Sequence, residues 1–236
     1  NSSETQIMTI LNIETSTSSC SAAITIDGQA VAIRANLQGA NHASELPVFV
    51  DELLGEAKDQ GWKLDAVALS QGPGSYTGLR IGASMAKGIC YGMNIPLLPI
   101  DTLQLLCASL QHFVEPEALL CPMLDARRME VYTALYQPHS LQRISDVEAK
   151  IIDETAFATQ LCQQKIYFFG NGAEKCTSVI QSPAAHFISG VLPQAQYMGR
   201  LAEMHNAPLD IKQLAYYEPF YLKEFVAAPS HVKGLK

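Results

Sequence analysis

The sequence predicts an α/β protein built from two similar lobes. Strand-length apolar runs alternate with segments of helical spacing, and each half opens with a run that ends in an acid, Glu14 or Asp125. Hydrophobic residues make up 48% and charged residues 17% of the 236 residues, enough to bury a full core. We expect residues 1–104 to form an N-terminal lobe and residues 105–236 a C-terminal lobe with a tail.

The first lobe opens with three predicted antiparallel strands and a helix. Residues 9–14 read as a buried strand, and Asp27-Gly28 marks a hairpin between residues 21–26 and 29–35. Apolar residues at intervals of three and four predict a helix over 42–57, in which Pro47 is tolerable only within the first turn.

A glycine-rich turn stands at the centre of the first lobe. Within residues 66–92 a buried strand turns through Gly72-Pro73-Gly74 and enters a helix that Ser75 or Thr77 caps. Two interpretations stay open. The turn cradles a phosphate, or it only permits tight packing; packing is favoured because no P-loop lysine and no G-x-G-x-x-G pattern is present.

Small side chains recur every four residues along this helix, at Gly78, Gly82, Ala86 and Cys90. A glycine inside a helix costs about 1 kcal/mol relative to alanine, so a second backbone is expected to lie very close. That backbone belongs to the chain's own sheet, to a partner helix, or to both.

The second half repeats the order of the first. A strand over 95–100 and a helix from Asp101-Thr102 to about residue 113 complete the first half. Strands then follow at 119–124, 130–136, 147–152 and 166–169, with helices near 154–162 and 194–204 and an irregular tail from Pro219. The acid that ends the first strand of each half suggests a duplicated unit.

Composition and charge exclude several classes of protein. With 16 Lys and Arg against 23 Asp and Glu the net charge is −7, which disfavours nucleic-acid binding by the chain alone. The six cysteines have no zinc-site spacing, and several lie in apolar runs, which is typical of buried free thiols in a reducing cytosol. No apolar run approaches the roughly 20 residues of a membrane span, so we expect a cytoplasmic protein.

The assembled motifs resemble one family, TsaB, formerly YeaZ. They are Ile13-Glu14-Thr15-Ser16, the glycine-rich stretch 72–82, Leu124-Asp125-Ala126-Arg127, Gly170-Asn171-Gly172 and Glu218-Pro219-Phe220-Tyr221-Leu222. The resemblance covers nearly the whole chain from Met8. It implies a two-lobed fold of the actin, hexokinase and Hsp70 type, and a role in placing threonylcarbamoyl on N6 of a tRNA adenosine.

The resemblance also implies partners. The catalytic subunit is a paralogue, TsaD, with which the TsaB-like chain pairs, and the ATPase TsaE docks on the pair. Contact with tRNA is expected only through this complex. A homodimer through the same face is expected when the chain is alone.

We expect no catalytic residue and no metal site in this chain. The catalytic paralogue carries two metal-binding histidines where this chain has Thr102 and Leu106, and neither can replace an imidazole. A vestigial nucleotide cleft is expected at Glu14, Thr15, Asp125, Gly170 and Gly172. No cofactor is expected on the isolated chain, while ATP or ADP at the interface with the paralogue stays open.

We expect the partner surface on two helices of the first lobe, the helix over 42–57 and the helix that follows the glycine-rich turn. Gly82→Leu is then expected to block pairing while the monomer stays folded. The residues expected to contact the partner are His42, Leu46, Phe49, Leu53, Ser75, Tyr76, Thr77, Gly78, Leu79, Arg80, Gly82, Ala83, Ala86 and Lys87.

The alternative hypothesis is an enzyme, either a sugar-kinase-like phosphotransferase or a metallopeptidase-like hydrolase. Tight ATP binding by the isolated chain would favour the phosphotransferase, and bound zinc would favour the hydrolase.

Overall fold

Two five-stranded sheets organise the fold. The computed structural model describes residues 7–204 and 207–223; residues 1–6 and the part of the expected tail after 223 lie outside the described residues. The strands are β1 (Thr9–Glu14), β2 (Cys20–Ile26), β3 (Gln29–Asn36), β4 (Ala66–Gly72), β5 (Leu97–Asp101), β6 (Leu119–Asp125), β7 (Glu130–Thr133), β8 (Glu148–Ile151), β9 (Ile166–Phe169) and β10 (Ala185–Ile188).

The two sheets have the same topology. Their strand orders are β3-β2-β1-β4-β5 and β8-β7-β6-β9-β10. In each sheet the first three strands along the chain are antiparallel, and the last two run parallel to the first. The predicted duplication of one unit, and with it the two-lobed α/β fold, is therefore confirmed.

The helices agree with the prediction in place more than in length. They are α1 (His42–Gln60), α2 (Tyr76–Met93), α3 (Thr102–Ala108), α4 (Ala158–Leu161), α5 (Met198–Met204) and α6 (Ile211–Leu214).

Several boundaries differ from the prediction. Pro47 lies in the second turn of α1, not the first. Because proline has no N–H, the carbonyl of Ala43 has no hydrogen-bond donor within the helix. Ala43 is exposed, so water can bind this carbonyl. Helix α3 ends at Ala108, because the amide of Leu110 bonds back to the carbonyl of Cys107 in a tighter turn. Strand β10 and helix α6, four residues each, had no counterpart in the prediction.

Three hydrophobic layers hold the sheets together. Helices α1 and α2 cover the outer face of the first sheet, through buried residues such as Leu53 and Ala86. Helices α3 and α5 fill the space between the sheets, where Leu106 and Leu201 contribute. A third cluster, centred on Phe168, backs the second sheet.

The chain after the second sheet returns to the first. The amide of Ala195 donates to the Ser21 hydroxyl (3.0 Å), and Gly199 lies against Thr25 of β2. Helix α6 contacts α2. The C-terminal segments therefore cover the first sheet although they follow the second in sequence.

Candidate functional site

The glycine turn before α2 packs directly on the turn that follows β1. The Ser75 amide donates to the Ser16 carbonyl (2.7 Å), and the Ser75 hydroxyl caps α2 by accepting from the amide of Gly78 (3.3 Å). The Thr15 hydroxyl donates to the carbonyl of Gly78 (2.8 Å), and a Cβ on Gly78 would overlap the carbonyl oxygen of Thr15. The glycines serve close packing within the chain, which is the favoured of the two interpretations.

Seven of the fourteen predicted partner residues are buried inside the chain. The small-residue stripe faces the chain's own sheet, because the helical period turns it toward β1 and β4. A Cβ on Gly82 would overlap the Thr15 hydroxyl, so Gly82→Leu would disturb the monomer, contrary to the expectation. The buried members are Leu46, Leu53, Gly78, Leu79, Gly82, Ala83 and Ala86, and they leave no surface for a partner.

Of the remaining predicted residues, His42, Phe49 and Lys87 contact other parts of the chain. Nε2 of His42 is 3.0 Å from the Ser19 carbonyl oxygen, at the cleft between the sheets, and Phe49 packs on the core. The ammonium of Lys87 lies over the ring of Tyr217, 5.8 Å from the ring centroid.

An open groove runs along the exposed side of α2 and has a volume of about 740 Å³. Of the predicted partner residues, it contains Tyr76, Thr77 and Arg80. The larger side chains of Ile81, Met85 and Ile89 supply its apolar floor, and none of the three was among the predicted partner residues. The residues that were missed are Ala43, Ile81, Ser84, Met85, Gly88 and Ile89.

Arg80 is the charged group of this groove. Its guanidinium lies over the ring of Tyr76 (5.4 Å) and donates to the Tyr76 hydroxyl (3.2 Å). No acidic side chain within residues 7–204 and 207–223 forms an ion pair with it. The groove thus presents an apolar floor beside a guanidinium that forms no ion pair with a carboxylate in the described part of the chain.

A second concavity, of about 610 Å³, lies between the lobes. It is lined by the turn after β1, the start of α2, the end of β6 and residues 220–223 of the tail. Of the predicted cleft residues, Asp125 reaches it, together with the neighbouring Asn171.

Glu14 and Thr15 lie beneath this cleft and are fully buried. One carboxylate oxygen of Glu14 accepts from the amide and the hydroxyl of Ser16, both at 2.5 Å. Burial raises the pKa of Glu14, and the hydrogen bonds from Ser16 oppose that shift. Within the described residues, the other oxygen of Glu14 and the hydroxyl of Ser70 have no hydrogen-bond partner.

Asp125 has a cation of the chain's own. The ammonium of Lys175 pairs with its carboxylate and also donates to the carbonyl of Glu130 (2.7 Å). The Asp125 amide donates to the side-chain oxygen of Asn171 (2.9 Å). Gly170 and Gly172 pack against the backbone of β6, much as Gly74 and Gly78 pack beside β1. The negative charge of Asp125 is therefore already paired with the ammonium of Lys175.

The two positions that correspond to the paralogue's histidines lie in the core of the described structure. Thr102 and Leu106 are fully buried, and the Thr102 hydroxyl accepts from the amide of Gly72 (3.2 Å). Across residues 7–204 and 207–223, no three His, Cys, Asp or Glu side chains are grouped as metal ligands. No helix in that part of the chain has the length and apolarity needed to cross a membrane.

Two copies of one five-stranded unit around a cleft define a two-lobed α/β protein, and solved structures share this fold. YeaZ from Pseudomonas aeruginosa superposes with a TM-score of 0.74 at 25% identity, covering 91% of this chain and 100% of that one. A family model described as TsaD, tRNA N6-adenosine threonylcarbamoyltransferase, matches residues 34–227. The chain belongs to this family.

The curated relatives support the resemblance to TsaB. The tRNA threonylcarbamoyladenosine biosynthesis protein TsaB of Bacillus subtilis is 35% identical over 130 residues, 55% of this chain and 56% of that protein. A tRNA N6-adenosine threonylcarbamoyltransferase of Legionella pneumophila is 38% identical over 77 residues, 32% of this chain and 23% of that protein. The chain spans about half the length of the curated TsaB relatives it matches.

Proposed function

We propose that this protein is a non-catalytic subunit of the machinery that forms N6-threonylcarbamoyladenosine in tRNA, and that it pairs through the α2 groove with a TsaD-like transferase. The observation that carries the proposal is the open apolar groove beside Arg80. The family match and the names of the TsaB relatives support the tRNA modification.

The transferase is the occupant that fits this groove best. It is a paralogue, since a transferase aligns with 77 residues of this chain at 38% identity. A related fold presents a helical surface of similar shape, as in isologous interfaces. Arg80 fits a carboxylate on that surface, because a guanidinium binds a carboxylate through two parallel hydrogen bonds.

The rest of the assembly follows from this role. A net charge of −7 leaves the grip on tRNA to the partner. We place a TsaE-like ATPase on the resulting pair and ATP or ADP at its interface, with the complex in the cytoplasm. The chain alone uses the same groove for a homodimer.

The cleft geometry supports a subunit without its own chemistry. Glu14 is sealed beneath the cleft, and Lys175 neutralises Asp125. A phosphotransferase needs an accessible and unpaired acid to hold the metal ion that binds the phosphate. Glu14 is not accessible, and Asp125 is already paired with Lys175. No observation favours the phosphotransferase or hydrolase alternative.

Reconstitution tests the proposal. The transferase and ATPase from the same source are combined with tRNA, ATP and an activated threonylcarbamoyl donor, with and without this chain, and threonylcarbamoyladenosine is measured by mass spectrometry. The modified nucleoside forms when the chain is present and falls to background when it is omitted. Equal formation without the chain would contradict the proposal.

A further inference from the structure

Residues 219–223, the C-terminal strap, cross from the first lobe to the second. The Phe220 amide donates to the Gln71 carbonyl (2.7 Å) at the end of β4, and the Phe220 carbonyl lies against Gly72, where a Cβ would overlap it. At the other end the ammonium of Lys223 pairs with the carboxylate of Glu130 on β7. The strap is therefore fixed to both sheets.

The middle of the strap contacts the first residue of α2. The ring of Tyr221 packs on the ring of Tyr76, with centroids 4.8 Å apart and planes inclined by 42°. Tyr76 lines both the cleft between the lobes and the α2 groove. One aromatic side chain thus joins the strap to the proposed partner surface.

Tyr76 in turn contacts Arg80. The guanidinium lies over the Tyr76 ring at 5.4 Å and donates to its hydroxyl at 3.2 Å. An arginine side chain has many rotamers, and fixing one of them on binding costs conformational entropy. This cost lowers the affinity for the partner. A stacked tyrosine that holds the guanidinium beforehand reduces this loss.

We propose that the strap prepares the groove for its partner: Tyr221 fixes Tyr76, and Tyr76 presents Arg80 toward a carboxylate on the paralogous transferase. This inference rests on the proposed function. Tyr221 is a positioning residue, since it acts through Arg80 and lies outside the lining of the groove. The matching partner surface has a carboxylate surrounded by apolar side chains.

Binding measurements with the purified transferase test this role. Tyr221→Ala is expected to weaken pairing about 3- to 10-fold, the range of an aromatic pair. Tyr221→Phe keeps the ring and should bind like the unaltered chain. Tyr216→Ala removes a nearby tyrosine that is 89% exposed, and it is the matched control that leaves affinity unchanged.

A double-variant cycle locates the effect. If Tyr221 acts through Arg80, then Tyr221→Ala has no further effect once Arg80→Ala is present. Lys223→Ala detaches the far end of the strap without touching Tyr76. It should weaken pairing in the same direction, so the inference remains testable if Tyr221→Ala does not fold.

The outcomes separate the two proposals. If Arg80→Ala weakens pairing while Tyr221→Ala and Lys223→Ala do not, the positioning role is wrong and the proposed function stands. The positioning role is also wrong if Tyr221→Ala weakens pairing by the same factor in the unaltered chain and in the Arg80→Ala variant. If Arg80→Ala and a charge placed in the groove by Ser84→Glu both leave pairing intact, the groove is not the interface.

Discussion

Gly78 and Gly88 stand on the same helix in opposite environments. A side chain on Gly78 would overlap the Thr15 carbonyl, whereas a Cβ on Gly88 meets nothing within 4 Å. We expect Gly78→Ala to lower the free energy of unfolding by about 1–3 kcal/mol, as overpacking does. Gly88→Ala should raise it by about 0.5–1 kcal/mol through helix propensity. Urea denaturation of both variants checks this; similar effects of the two would contradict the packing described for α2.

Glu14 gives a prediction for pH dependence. Burial raises its pKa, so the folded chain holds the proton more tightly than the unfolded chain does. Its contribution to stability is full below the unfolded pKa of about 4.3 and is lost as pH rises toward the folded pKa. Glu14→Gln cannot titrate and retains an acceptor for Ser16.

The expected result concerns the slope with pH. As pH rises from about 4.5 to about 8, the free energy of unfolding should fall more for the unaltered chain than for Glu14→Gln. Glu14→Gln should therefore be the more stable protein at pH 8. Parallel stability curves for the two proteins, measured by urea denaturation at each pH, would show that Glu14 ionises in the folded chain as it does in the unfolded one.

Helix α3 depends on its cap. One oxygen of Asp101 accepts from the amides of Leu103 (2.8 Å) and Gln104 (3.2 Å), and the other pairs with Arg143 from the second lobe (3.3 Å). Asp101→Ala should lower the free energy of unfolding by about 1–2 kcal/mol, the usual value of such a cap. Asp153→Ala, an exposed loop aspartate bonded to Thr155, is the control with a smaller effect. If Asp101→Ala and Asp153→Ala lower the free energy of unfolding equally, the cap of α3 does not stabilise the fold more than an exposed loop hydrogen bond does.

Long and strongly patterned elements could be predicted from the sequence, and short ones could not. Strands β1 and β9 were placed with their observed bounds, and Asp27-Gly28 marked the hairpin. Strand β10 and helix α6 have four residues each, too few for a period to be recognised. The turns after α3 carry an apolar pattern like a helix, and only their hydrogen bonds distinguish them.

Most of the predicted partner residues lie on the same helix as the proposed groove, but half of the predicted residues are buried in the chain's own core. Glycines every four residues indicate that a backbone lies close, without indicating whose backbone it is. In the structure it is the chain's own, at Thr15. The groove lies on the stripe of Ile81, Met85 and Ile89, which looks like ordinary core in a sequence and becomes a surface only because no described segment covers it.

At the scale of the whole molecule, one unit occurs twice and its two copies have diverged. Both keep an acid at the end of the first strand and close glycine packing beside it. The first copy buries its acid, and the second pairs its acid with Lys175. Helix α2 of the first copy is matched in the second by a short 3-10 turn at Glu174–Cys176, so the groove belongs to the first copy.

The most direct test of the central claim is size exclusion with light scattering on this chain mixed with the transferase from the same source. We expect a heterodimer that replaces any homodimer. Ser84→Glu should abolish it, since the new carboxylate lies one turn from Arg80 and would pair with it. Ser178→Glu, at an exposed serine of the second lobe, should leave it intact. No heterodimer with or without ATP, or one that Ser84→Glu leaves unchanged, would contradict the account.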